Sequence, residues 1–270
     1  MSTLATLPLV LCVLMIELAI GGAFLMWYLD RSASAPIGFL KLTAFVDAGA
    51  IAFAGVLIPT IPRDPKVGLD VMALAAFSQV LVVVIVLVVA QLIVSFLPWR
   101  AVREAVGIIT ILAGVFDLVL AAVARPTTVS GSPFDAFALL ALPLGALALG
   151  GANAAMLLGH WYLVTPKLST GPLQRAALVL VAAVALQLGL VSVSIARGEI
   201  SLNMETAFVI AAGLRIGVGL LMTLAVALAA WWTARMNTQA STGLLYVGLA
   251  CVLAGEVSAR VLFFLTGAAV

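Results

Sequence analysis

Seven side chains in this sequence could hold charge or move protons inside an apolar matrix. They are Glu17, Asp47, Asp117, Glu256, Arg215, Arg260 and His160. Counted from the ends of the apolar runs that contain them, the four acids and Arg215 fall near mid-membrane, and Arg260 lies toward one side. Charged groups at bilayer depth are costly, so they usually pair with one another or line a wet cavity. Four acids cannot each pair with one of two arginines. The carboxylates left over must be neutral or face water.

Glu256 and Arg260 are four residues apart with the acid first, the spacing of an intrahelical ion pair. Arg215 sits in Gly213-Leu214-Arg215-Ile216-Gly217, a small-xxx-small pattern that allows close helix approach, and it can bridge to Glu256 on the next helix. For these three residues a purely structural role is an even alternative to a functional one. Glu17, Asp47 and Asp117 have no partner along their own helices, which favours a proton relay or a polar pocket over a structural pair. Gln79, Gln91, Asn153 and Gln187 add polar groups inside the spans, and Lys41 is close enough to a helix end to snorkel. His160, in Gly159-His160-Trp161-Tyr162, reads either as an interfacial belt residue or as a proton-exchanging quinone ligand.

The same residues exclude several chemistries. One histidine cannot supply the paired axial ligands of a membrane b-type haem. Cys12 and Cys251 form no CxxC, so neither an iron–sulfur cluster nor a zinc site is expected. Clustered ligands for a dinuclear metal site, a Ser/His/Asp arrangement and paired intramembrane aspartates are all missing.

The elements that must position these groups are helices in lipid. Of 270 residues 65% are apolar and 9% charged, and mean hydropathy is strongly positive. That is too little charge to solvate a water-facing surface. A net charge of +2 without a basic run argues against nucleic acid. Spans need roughly 20 apolar residues. Such runs fall at 6–29, 37–61, 70–98, 105–124, 136–164, 173–196, 206–233 and 242–268. The first lacks a basic leader and reads as a retained span rather than a signal peptide. The expectation is an all-α integral membrane protein of eight transmembrane helices, forming a single transmembrane domain over 1–270.

Short loops leave no room for a soluble domain, so aqueous chemistry must belong to a partner. Loops one–two, three–four, five–six and seven–eight, with adjoining helix ends, carry Arg31, Lys41, Arg100, Arg103, Lys167, Arg175 and Arg235. The other face carries Arg63, Lys66, Arg125 and Arg197. Cytoplasmic loops collect basic residues, so both termini are expected outside, in a bacterial or archaeal cytoplasmic membrane.

Helices one and five end alike, in Trp27-Tyr28-Leu29 and Trp161-Tyr162-Leu163, offset by 134 residues. Lys41 and Arg175 follow at matching distances. Leu18-Ala19-Ile20-Gly21-Gly22-Ala23 echoes Leu147-Ala148-Leu149-Gly150-Gly151-Ala152 after a five-residue insertion. These echoes fit a parallel four-plus-four repeat, 1–134 and 135–270. Chance similarity in a chain rich in Ala, Leu and Gly is an equal alternative.

Helix eight carries a recognisable string, Ala254-Gly255-Glu256-Val257-Ser258-Ala259-Arg260-Val261-Leu262-Phe263-Phe264. It resembles the closing A-G-E-x-x-x-R-x-x-F-aromatic of the dimethyl-sulfoxide-reductase membrane anchors, within the NrfD/polysulfide-reductase type. Arg215-Ile216 resembles that family's Arg-Ile, and Glu17 through Phe24 its first helix, where the family has Gln in place of Glu. The family's polar motif in helices two and three is not matched. The resemblance implies a haem-free anchor subunit of a respiratory oxidoreductase that exchanges protons and electrons with menaquinone or ubiquinone. It also implies iron–sulfur or cytochrome partner subunits. The rival reading from the same acids is a small proton-coupled transporter or channel, and a third is an anchor whose polar residues are all structural.

Overall fold

A computed structural model describes residues 3–32, 35–63, 68–127, 132–165, 168–199 and 206–270. The turn residues Asp64, Pro65, Lys66, Pro166 and Lys167, with Ala33 and Ser34, lie outside the described residues. So do two of the basic positions used for orientation, Lys66 and Lys167.

The described chain is helical, and eight of its helical stretches are long and apolar enough to cross a membrane. They are α1 (Thr3–Arg31), α2 (Ile37–Leu57) with a 3-10 turn Ile58–Thr60, α3 (Val71–Val94), α4 (Arg100–Val123), α5 (Ala136–Val164) and α6 (Gly171–Ala196). The seventh span is composite: α7 (Thr206–Gly213), a π-helical segment Leu214–Met222 and α8 (Thr223–Thr233). The last span is α9 (Thr238–Thr266). Asp70, Asp135 and Asn237 cap α3, α5 and α9. Each accepts hydrogen bonds from two backbone N–H groups of the first turn that no carbonyl within the helix can serve.

Three boundaries differ from the hydropathy reading. The third span ends at Val94, because Ser95 turns the chain and Ser95 N bonds back to Gln91 and Leu92 carbonyls. The fourth begins at Arg100, since Arg100 and Arg103 are held by polar partners at the helix end and need not lie in lipid. The eighth begins four residues earlier than expected, at its Asn237 cap.

Proline does not interrupt these spans. α5 runs through Pro143, and Pro59 only tightens the end of the second span. The real irregularity is the π segment, which contains no proline. A π turn adds a residue per turn and rotates the helix beyond it, and such turns recur at functional sites.

α1, α5 and α9 form the centre. α1 packs against α2 and α4 as α5 packs against α6 and α9. α3 lies against α2 and α4, and the seventh span lies against α6 and α9. α1 and α5 meet along the middle, and the two echoed strings meet each other there. A Cβ on Gly21 would strike the Ala146 carbonyl and the Gly150 Cα, so only glycine permits this approach. The lipid-facing sides are apolar, with Phe45, Val56, Met72, Val86, Leu112 and Ile210 exposed.

Candidate functional site

Four of the charges expected from the sequence, Glu17, Arg215, Glu256 and Arg260, converge on one buried cluster near the middle of the bundle. Arg260 of α9 places Nη2 2.5 Å from Glu256 Oε2, one turn back on its own helix. Its Nε lies 2.8 Å from Glu17 Oε1 of α1. The Glu17 contact is an ion pair rather than an aligned hydrogen bond, since neither atom meets hydrogen-bond geometry there. Arg260 Nη2 also donates to the Ala141 carbonyl of α5 at 3.2 Å. From the π segment, Arg215 Nη1 reaches Glu256 Oε1 at 2.8 Å, and Nη2 reaches the Val270 carbonyl at 3.5 Å. Gln187 of α6 donates its Nε2 to the same Glu256 Oε1 at 2.8 Å.

All five side chains are essentially inaccessible. Two carboxylates meet two guanidiniums, so the cluster is neutral as a unit, the condition under which buried ions are tolerated. Gly145 of α5 makes room for it, because a Cβ there would strike Arg260 Nη2, Glu17 Oε1 and Glu256 Oε2.

Close packing beside the cluster does not use the Gly213–Gly217 pair expected from the spacing. A Cβ at either position would meet nothing within 4 Å. The contact is instead Gly219 against Gly255, backbone to backbone. Arg215 and Gly219, four residues apart, share the face of the π segment that turns toward α9, while Gly213 and Gly217, offset from them by two residues, are exposed on the other side.

Asp47 and Asp117 stay apart from this cluster. Both are buried, and their carboxylate oxygens have no hydrogen-bond partner among the described residues. Asp47 lies against α1 at Gly22, where a Cβ would collide with both of its oxygens. Asp117 is within electrostatic reach of Cys12. Asn153 and Gln91 are buried, whereas Gln79 is exposed on the bundle surface. Lys41 lays its ammonium over the Phe96 ring, 4.8 Å from the centroid.

His160 is also separate from the cluster. It is exposed near the end of α5, and its Nδ1 lies 3.0 Å from the Tyr246 hydroxyl of α9. No group of three or more His, Cys, Asp or Glu side chains that could hold a metal occurs among the described residues.

At the opposite end of the bundle, Arg125 donates to the carbonyls of Gly267, Ala122, Pro133 and Ser132. Burial holds its pKa below the usual arginine value, partly offset by Asp135 and Glu199. Arg197 pairs with Asp135 and with Glu199, and its hydrogen bond to Asp135 keeps that carboxyl below the usual range.

Two cavities bear on ligand binding. One, of about 10 Å³, lies between the first four helices at the His160 end, lined by Met26, Trp27, Asp30, Leu40, Gln91 and Arg103 among others. It has room for about one water. The other, of about 210 Å³, is a wholly apolar groove among α1, α4 and α5, lined by Ile20, Phe24, Ile111 and Pro143 among others. A quinone ring fits neither, since the first is too small and the second offers its oxygens no donor. Outside these cavities His160 and Tyr246 form an exposed pair able to donate or accept a hydrogen bond.

No family model, curated protein or solved structure matches the chain.

Proposed function

We propose that this chain is the haem-free membrane subunit of a quinone-linked oxidoreductase complex of the cytoplasmic membrane. The observation that carries this reading is a convergence. Glu17, Arg215, Glu256 and Arg260 come from three separate spans. They are the charged residues in the strings that resemble the dimethyl-sulfoxide-reductase anchors, and they form one continuous ion cluster.

In this reading the cluster positions helices rather than binding substrate, because each of its charges is already paired. A bound quinone would supply two-electron, two-proton carrier chemistry at the bundle surface. His160 Nε2 would hold a ring oxygen, with Tyr246 fixing the imidazole through Nδ1, and the pair can give or take a proton there. The partner subunits would carry iron–sulfur or cytochrome centres and the aqueous substrate.

The test is purification of the chain from native membranes in a mild detergent. Co-isolation of a redox-centre protein together with extractable quinone is expected. The chain emerging alone and free of quinone would defeat the proposal.

A second reading, a proton-coupled transporter, is favoured by one observation: Asp47 and Asp117 are buried without partners. Proteoliposome uptake driven by a proton gradient and abolished by Asp47→Asn would select it.

A further inference from the structure

We propose that the interior of the first four helices is a proton half-path, leading from the small interfacial cavity at the His160 end to the Asp47 and Asp117 carboxylates. It does not depend on the quinone reading.

Two buried stripes leave the cavity and end on these acids. On α2, Leu40 lines the cavity, and Thr43 and Asp47 come next at helical spacing on the same buried face. On α4, Arg103 lines the cavity, succeeded by Gly107, Thr110, Gly114 and Asp117, again on the buried face. On α1, Met26 lines the cavity, and Gly22, one turn deeper, meets the Asp47 carboxylate. The two stripes thus run from one mouth into the centre of the same four-helix unit.

Thr43, Gln91, Asp47 and Asp117 on this route have side-chain oxygens without partners, a condition that Thr110 on the α4 stripe does not share. Thr110, Thr233, Thr242 and Thr266 each donate a hydroxyl back to a carbonyl of their own helix. Thr43, fully buried, does not, and its Oγ1 is unpartnered. Gln91 lines the cavity with its Oε1 buried and unpartnered. Asp47 and Asp117 complete the set. A buried polar group without a partner is costly, and several along one line mark a route for water. Thr43 and Asp47 are one turn apart, about 6 Å along the axis, a gap that one water bridges.

Besides Asp47 and Asp117, the charged groups of this unit among the described residues are Asp30, Arg31, Arg100, Arg103 and Glu104 at the mouth, Lys41 near the start of α2, Glu17 deeper on α1, and Arg63, Asp70 and Arg125 at the opposite end. Asp30 pairs with Arg103, and Glu104 with Arg100. Glu17 is held by Arg260. Asp47 and Asp117 are therefore left free to exchange. In each step a carboxyl gives one proton to an adjacent water and accepts one from the other side. One proton moves and no electron does.

The experiment is infrared spectroscopy of the full chain in lipid vesicles during transfer to D2O. Carboxylic C=O bands are assigned by their loss in Asp47→Asn and Asp117→Asn. The expected result is a rapid deuterium shift of both bands in the wild type. The Asp47 shift should be at least about tenfold slower in Thr43→Val with Gln91→Leu, the factor imposed by one lost step of ~1.4 kcal/mol. Thr43→Ser, which keeps the hydroxyl, should exchange like the wild type and reports on folding. Missing protonated bands, bands that do not exchange, or equal rates in wild type and the double variant would overturn the proposal. None of these readouts involves quinone, so failure here and failure of the proposed function are separately visible.

Discussion

Arg260 Nε of α9 lies 2.8 Å from Glu17 Oε1 of α1, joining the first and last spans at the centre of the bundle. Because the same guanidinium also holds Glu256, which holds Arg215, one side chain closes a network across three spans. Removing it leaves two buried carboxylates facing one arginine.

Arg260→Leu should therefore destabilise the protein by about 3–5 kcal/mol, as expected when one partner of a buried ion pair is lost. Glu17→Gln combined with Arg260→Gln leaves the Arg215–Glu256 pair balanced, and should cost less than the two single changes added together. Thermal unfolding in detergent of the two singles and the double checks this. Strict additivity would mean that the contact carries no coupling.

Gly255→Ala places a methyl group on the Gly219 backbone, so α9 and the π segment must separate. Overpacking of this kind costs about 1–3 kcal/mol, while Gly217→Ala, with open space around it, should be close to neutral. The same unfolding assay distinguishes the two. Equal effects would contradict the facing assigned to the π segment.

How much of this was legible in the sequence varied with the distance over which each signal acts. Span number came from run length alone, and the Glu256–Arg260 pair from i, i+4 spacing. The Arg215–Glu256 bridge was also readable, because the two residues sit on consecutive spans. The Glu17–Arg260 contact was not, since nothing local says which of eight helices α1 meets at that depth. The π segment was hidden for another reason: it has no proline, and Gly213, Gly217 and Gly219 give no sign of which glycine turns inward. Gln187 was visible as an interior polar group, but its partner depends on how α6 packs.

His160→Phe should leave stability within about 0.5 kcal/mol, because the ring is exposed. Loss of one hydrogen bond worth ~1 kcal/mol should weaken quinone retention by roughly fivefold. Quinone extracted per chain from the purified complex measures this. Unchanged quinone content would remove His160 from the site.

Asp135 is held in its ionised form first by the Arg197 hydrogen bond and further by the backbone N–H groups of Ala138 and Phe137. Its folded pKa is depressed. The stability it contributes is therefore full above the ordinary carboxylate value of about 3.9 and is lost as pH falls through the lower folded value. Asp135→Asn keeps the helix cap but loses the ion pair, so its unfolding temperature should fall less steeply below that pH than the wild type's. Parallel acid slopes would contradict the assignment.

Electron exchange between quinone and a partner through this subunit is tested most directly in the complex isolated in native-lipid discs. A reduced quinone analogue is added and the partner's redox centres are followed optically. Those centres should become reduced, at a rate that falls with His160→Phe and vanishes when the chain is absent. Centres that stay oxidised, or that are reduced equally fast without this chain, would contradict the proposed role.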